Sequence, residues 1–203
     1  NNFADRLILE PAAKGYRKLP SPVQSSISNF LSNLRMPLVV VNQLFQGQGK
    51  NAAESTGRFL INSTVGVLGL IDVADKVGLE ETEEDFGQTL ATWGVGDGFY
   101  VVLPIFGPSN LRDTTGMILT SITDPVNAYV VSEGEAWIVP VRTATNAIDQ
   151  RSKIIDEVNA LRDNSIDYYA AVRSSYYQNR KAAIKNIDDS ELTPVPLISV
   201  DFE

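Results

Sequence analysis

An all-α fold is expected for this chain, built from short and medium helices joined by Gly- and Pro-rich apolar loops. Three observations predict it. Apolar residues recur at helical spacing over long segments, as in Val23, Ile27, Phe30, Leu31 and Leu34. Helix punctuation is frequent, with 14 Gly and 10 Pro in 203 residues. Hydrophobic residues make up 43% of the chain, enough for a sizeable core.

The elements follow in order. Ser21 is a suitable N-cap with Pro22 at the first helical position, and Pro37 is expected to end or kink that helix. A nearly uncharged segment, Leu38 to Gln46, should be stopped by Gly47 and Gly49. Asn51 is placed to cap a third helix carrying Arg58, Phe59, Leu60 and Ile61. Val65 to Ile71 is apolar and suits a strand by propensity, but Gly66 and Gly69, three apart, suit close helix or loop packing.

The acidic run Glu80, Glu81, Glu83, Glu84 and Asp85 reads as a solvated loop. Consecutive carboxylates point apart and do not converge on a cation, so no metal site is expected there. Met117 to Val131 is uncharged except for Asp124, with Pro125 as a break. Ile138 to Leu161 fits one long amphipathic helix with Pro140 near its start and an Asp149–Lys153 pair on its surface. Asp163-Asn164-Ser165 should break the chain and cap a last helix that carries Ile166, Tyr169, Val172, Tyr176 and Tyr177. Residues 1–187 are expected to form a single helical domain, and the acidic residues 188–203, with Pro194 and Pro196, an extended tail.

Composition excludes several functions. A formal charge of −8 argues against a nucleic-acid partner and against adsorption to anionic lipid heads. With no Cys and no His, thiolate catalysis, Cys/His zinc sites and His general bases are absent. There is no Gly-x-Ser-x-Gly and no spaced acid pair with a reason to have shifted pKa values, so neither a catalytic set nor a cofactor is expected. Charge is also segregated: long uncharged runs fill residues 55–132, and charge is dense after Asp149. This suits a body with one apolar end and one watery end.

The most informative stretch runs from Phe86 to Asp113. It contains Trp93-Gly94-Val95-Gly96-Asp97-Gly98-Phe99-Tyr100 and Val101-Val102-Leu103-Pro104-Ile105-Phe106-Gly107-Pro108, and closes on Leu111-Arg112-Asp113. Asp97 is the only charge between Phe86 and Leu111. Gly and Pro interrupt the run too often for a core helix, and a spanning helix needs about 20 unbroken apolar residues. A buried loop or an apolar surface meeting lipid remains. Trp93, Gly94, Gly96, Gly98, Phe99, Tyr100, Val102, Pro104, Ile105 and Phe106 are therefore candidates to face lipid or line a pore, with the three alternate glycines supplying flexibility. Arg58 and Arg112 are candidates for a phosphate head group if open. Arg58 alternatively pairs with an acid such as Asp72, and Arg112-Asp113 alternatively forms a local salt bridge or cap.

The same stretch resembles the glycine-rich signature of the MlaA/VacJ lipoproteins. Phe86-Gly87, Trp93-Gly94-Val95-Gly96-x-Gly98-x-Tyr100, Leu103-Pro104-x-x-Gly107-Pro108 and Arg112-Asp113 match its landmarks, although Phe99 stands where many members have Pro. The resemblance continues through Asn29-Phe30, Asn42-Gln43-Leu44-Phe45-Gln46-Gly47, Arg58-Phe59 and Asn62-Ser63-Thr64, and again near Asp167-Tyr168 and Arg180. It implies a compact ring-like body of helices around an amphipathic pore in the inner leaflet of the outer membrane. It further implies phospholipid removal from the outer leaflet, a trimeric porin as partner and a soluble periplasmic lipid carrier as recipient. Family members are anchored at the periplasmic face by a lipidated N-terminal Cys, which this chain, beginning at Asn1, does not carry. The alternative is a non-catalytic membrane-associated adaptor that docks other envelope proteins through its apolar Gly-rich face.

Overall fold

A computed structural model describes residues 5–186. The expected tail at 188–203 lies outside the described residues. A π-helical turn, Asp5–Leu9, leads into α1 (Glu10–Tyr16). Then come α2 (Ser21–Phe45), α3 (Gly49–Thr64), the short α4 (Val73–Lys76) and α5 (Phe86–Thr92). A hairpin of β1 (Tyr100–Leu103) and β2 (Gly107–Asn110) follows. The remaining helices are α6 (Leu111–Thr123), α7 (Pro125–Ser132), α8 (Ile138–Lys153), α9 (Ile155–Asn164) and α10 (Tyr168–Lys185). The expected all-α class holds, with this one small sheet added. Backbone contacts divide the chain after Lys153 into two units, each described by itself.

In the first unit α2 packs along α3 and also meets α5, α7 and α8, α1 packs on α8, and α5 packs on α6. Pro37 does not end α2, which runs through as one helix. Its neighbours Met36, Leu38 and Val39 are buried, and that packing outweighs the backbone hydrogen bond that a proline cannot donate. Asn51 is not the cap of α3. That helix starts two residues earlier at Gly49, and Asn51 instead donates from Nδ2 to Gln48 Oε1 at 2.9 Å.

Aspartate and asparagine cap the later helices. Asp72 accepts from Asp75 N–H, Asp85 from Gln88 N–H, and Asn110 from Asp113 N–H. Asp124 accepts from Val126 and Asn127 N–H. Asp124 also receives Arg142 Nη1 at 2.7 Å, which ties α7 to α8. Tyr16 Oη donates to Asp149 Oδ1 at 2.9 Å, which ties α1 to α8. Burial and the hydrogen bond to this carboxylate push the Tyr16 hydroxyl far above its ordinary range. The Asp149–Lys153 pair is formed at 3.0 Å, but Asp149 is buried and not part of a surface stripe.

The expected long helix from Ile138 to Leu161 is two helices. Its register breaks at Ile154, whose φ of −107° and ψ of 17° leave the helical region. In the second unit α9 ends at Asn164 and Ser165 is its C-cap. The cap of α10 is Asp167, which accepts from Ala170 N–H at 3.0 Å, so Ile166 lies before that helix and not on it.

The hairpin was not expected. Tyr100, Val101 and Val102 have strand-forming side chains, and they pair antiparallel with β2, Tyr100 opposite Asn110 and Leu103 opposite Gly107. Phe106 N–H donates to Pro104 O at 2.8 Å around Ile105, whose φ is 71°. That is the rare form of three-residue turn.

Candidate functional site

In the first unit polar side chains share the interior with an apolar core, and many large apolar side chains stand outside. The largest side chains with less than 2% exposure are Arg58, Gln43, Asn42, Asn110, Thr89, Ser55 and Ser109, all of them polar. Most of their polar atoms are hydrogen-bonded, to neighbouring side chains or to the backbone, while Gln43 Oε1 and Arg58 Nε have no protein partner. Thr89 Oγ1 donates to Asn42 Oδ1 at 2.7 Å, and Gln43 Nε2 donates to Thr82 Oγ1 at 2.8 Å. Large apolar side chains stand outside. Phe99 is 80% exposed, Leu68 68% and Ile122 70%. An exposed apolar surface of this extent marks contact with something apolar.

Around the hairpin, Trp93, Phe99, Val102, Ile105 and Phe106 are all exposed, whereas Tyr100 is half-buried. Trp93 stacks at an angle on Phe45, with ring centroids 5.9 Å apart, and its Nε1 donates to Phe45 O at 3.0 Å. Its polar atom is thus used and its ring face left outside. The candidate glycines differ from one another. Gly94 and Gly98 have positive φ, 87° and 67°, so glycine sets the backbone path there. At Gly98 a Cβ would also lie 2.8 Å from Leu111 Cβ. Gly96 has neither constraint.

Neither arginine is open. Arg58 is 1% exposed; its Nη2 donates to Asp72 Oδ2 at 2.7 Å and its Nη1 to Leu79 O. Asn62 joins this cluster, with Nδ2 donating to Asp72 Oδ1 and Oδ1 accepting from Val73 and Ala74 N–H, each at 2.9 Å. The expected Arg58–Asp72 pair is therefore present, and it closes the chain around the Val65–Ile71 loop. Arg112 is buried, with Nε donating to Asp113 Oδ1 at 2.9 Å, as its local salt-bridge reading requires. It also pairs with Asp97, and that explains the lone charge in the apolar stretch.

Burial alone would raise the Asp72 carboxyl. The Asp75 N–H, the Asn62 amide and the Arg58 guanidinium outweigh it and hold the group below the ordinary aspartate range. A depressed folded-state pKa gives stability that is complete above the unfolded value of about 3.9 and is lost as pH falls through the folded value. The melting temperature of the parent should therefore drop more steeply below pH 4 than that of Asp72→Asn, measured in the same detergent. Parallel curves would remove Asp72 from the acid transition.

Sequence reasoning missed the Val65–Ile71 loop as part of the apolar surface. Val67, Leu68 and Gly69 all take positive φ, 54°, 58° and 89°. Such values are rare for non-Gly residues, and most of all for β-branched Val. A Cβ on Gly66 would lie 2.2 Å from Ile71 O, and one on Gly69 would lie 2.5 Å from Asn33 Cβ. The loop-packing reading of these two glycines is thus the correct one, and the strand is not formed. The signal was present in the uncharged run from Phe59 to Ile71. The acidic segment also differs in part from a solvated loop. Glu84 is buried and accepts from Gln46 Nε2 at 2.7 Å, so the segment fastens α2 and is not wholly solvated. Among the described residues no helix is long and apolar enough to cross a membrane.

A family model, MlaA lipoprotein, matches residues 1–183. An uncharacterized protein of Rickettsia prowazekii is 36% identical over 187 residues, covering 91% of this chain and 73% of that protein. The intermembrane phospholipid transport system lipoprotein MlaA of Haemophilus influenzae is 33% identical over 201 residues, covering 95% of this chain and 78% of that protein. A solved structure from work on the structural basis for maintenance of bacterial outer membrane lipid asymmetry superimposes with a TM-score of 0.78 and 34% identity. It covers 90% of this chain and 91% of its own.

Proposed function

This chain belongs to the MlaA lipoprotein family, and on that premise we propose that it transports phospholipid at the Gram-negative outer membrane. It withdraws mislocalised phospholipid from the outer leaflet through an amphipathic pore and so maintains lipid asymmetry. A soluble periplasmic carrier receives the lipid, a trimeric porin holds the protein in place, and a lipid anchor on the full-length protein keeps it at the periplasmic face. Its part in this is non-catalytic.

The observation that supports this reading most directly is the outward placement of large apolar side chains over a partly polar interior. Val67, Leu68, Phe99, Ile105 and Phe106 face outward while Asn42, Gln43, Arg58 and Thr89 are enclosed. Hydrocarbon removes the cost of the first set, and hydrogen bonds to side chains and backbone offset most of the cost of the second. With no spanning helix among the described residues, the proposed seat is one leaflet. Trp93, Phe99, Val102, Pro104, Ile105 and Phe106 then meet lipid or line the path, and Gly94, Gly96, Gly98 and Tyr100 shape the loop that presents them.

Lysine at Val102 or Ile105 is the sharp test. Both side chains are exposed, and Lys fits the left-handed φ of Ile105 better than a β-branched residue does. Lysine at membrane depth costs about 2–4 kcal/mol at the midplane and less near the interface. Vesicle binding should therefore fall about tenfold or more with the circular dichroism spectrum unchanged. In cells that depend on this protein, outer-leaflet phospholipid and detergent sensitivity should rise. Loss of fold would place the hairpin tip in a core, and unchanged binding would take it out of the membrane contact. Phospholipid should also copurify with the parent protein, as it would not with an adaptor.

A further inference from the structure

One small cleft in the first unit runs against the apolar character of its surroundings. It lies between α2, the acidic segment before α5, and α8, and it has a volume of about 80 Å³. Every side chain lining it is polar or charged. That space suits one phosphate group, and the exposed Glu81 and Glu83 at its rim leave room outside it for a tethered ammonium. We propose that this cleft holds the zwitterionic head group of a phospholipid, Arg35 and Lys153 taking the phosphate and Glu81 and Glu83 the ammonium.

The pairing within the cleft leaves these groups available. Arg35 Nη1 stands 3.6 Å from Glu83 Oε1, beyond hydrogen-bond distance, and the Glu83 side chain is 69% exposed. A pair so loose and so wet is worth little and opens readily to a better ligand. A guanidinium offers a planar fork that matches phosphate. Lys153 Nζ is held by Ser28 Oγ at 2.6 Å and Asp149 Oδ2 at 3.0 Å, which positions it and leaves a third donor. Asp149 is committed to Lys153 and to Tyr16. Glu81 accepts only a neutral donor, Ser32 Oγ, among the contacts described for it. A purely anionic head would meet these two carboxylates unpaired, whereas a head with an ammonium would satisfy them.

The cleft also borders an apolar surface of the right kind. Asn29 lines it and donates from Nδ2 to Leu70 O at 3.5 Å, in the loop where Val67 and Leu68 stand exposed. One residue thus joins a polar hollow to an apolar ridge, the arrangement an amphiphile needs.

This site rests on the phospholipid-transport reading, and one experiment separates the two. The purified full chain is equilibrated with dodecyl maltoside micelles containing equal phosphatidylethanolamine and phosphatidylglycerol, and retained lipid is measured by mass spectrometry. The parent should retain phosphatidylethanolamine about tenfold over phosphatidylglycerol, the scale of one good interaction. The double variant Glu81→Gln, Glu83→Gln, at two exposed positions, should lose that preference while keeping lipid. Arg35→Gln should lower retention of both lipids by a similar factor. Equal retention by the parent, or a preference unmoved in variants of unchanged melting temperature, overturns the head-group site and leaves transport standing. Retention of neither lipid by the parent overturns both.

Discussion

Replacing Arg58 with Ala should lower the unfolding free energy by about 3–5 kcal/mol, the usual cost of removing one partner of a buried ion pair. The Arg58 side chain is 2% exposed and that of Asp72 23%. The variant leaves the carboxylate partly enclosed with only neutral donors, strips Leu79 O of its partner, and opens a cavity the size of a long side chain. Because Asp72 also caps α4 and binds Asn62, the damage should spread through residues 62–79. Chemical denaturation in detergent measures the loss. Arg58→Lys should recover only part of it, since an ammonium cannot hold Asp72 and Leu79 O with the same fork. A loss under about 1 kcal/mol, the worth of an exposed pair, would mean that the cluster is wet and that Arg58 is open to a ligand after all.

Gly116→Val should be comparably severe. Helices α5 and α6 meet backbone to backbone, and a Cβ on Gly116 would lie 2.4 Å from Gly87 N and 2.8 Å from Gly87 Cα. The obstacle is main chain and cannot swing aside, so the helices must part. Overpacking of this kind costs about 1–3 kcal/mol and sometimes more, and Val adds two methyl groups to the first clash. Small residues at such contacts are how helices approach closely in lipid, where expulsion of water does not drive them together. The hairpin enters α6 directly at Leu111, so faster hydrogen exchange across residues 86–123 should accompany the drop in melting temperature. An unchanged melting temperature would show that α5 and α6 do not pack this closely.

Much of this architecture was legible in the sequence, and the misses have physical causes. Arg58 could be paired with an acid such as Asp72 in advance because it stands at the head of the uncharged run Phe59 to Ile71, where an unpaired charge is costly, and Asp72 is the first acid after that run. The helix beginning at Ser21 was clear from its apolar face, but its continuation past Pro37 depends on burial of Met36, Leu38 and Val39, which no local signal reports. The hairpin escaped because β2 reads Gly107-Pro108-Ser109-Asn110, a sequence without strand propensity. Its pairing comes from β1 and from the backbone that follows, where Leu111 N–H donates to Phe99 O at 3.0 Å and Arg112 N–H to Asp97 O at 3.2 Å. The candidate surface from Trp93 to Phe106 could be seen as a charge-free run. The Val65–Ile71 loop reads as ordinary packing from its two glycines, and its uncharged run hints at an apolar surface without showing that Val67 and Leu68 stand exposed at positive φ.

The enclosure of Arg58, Gln43, Asn42 and Thr89 bears on how stability changes with temperature. A protein that unfolds into water ordinarily uncovers hydrocarbon, and the resulting rise in heat capacity bends its stability curve into a dome. Here much of what lies wholly hidden is amide, hydroxyl and guanidinium, whose hydration lowers the heat capacity. The two contributions oppose each other. The dome should be shallow, with little weakening toward the cold, because hydrogen bonds and ion pairs between enclosed polar groups contribute much of the cohesion.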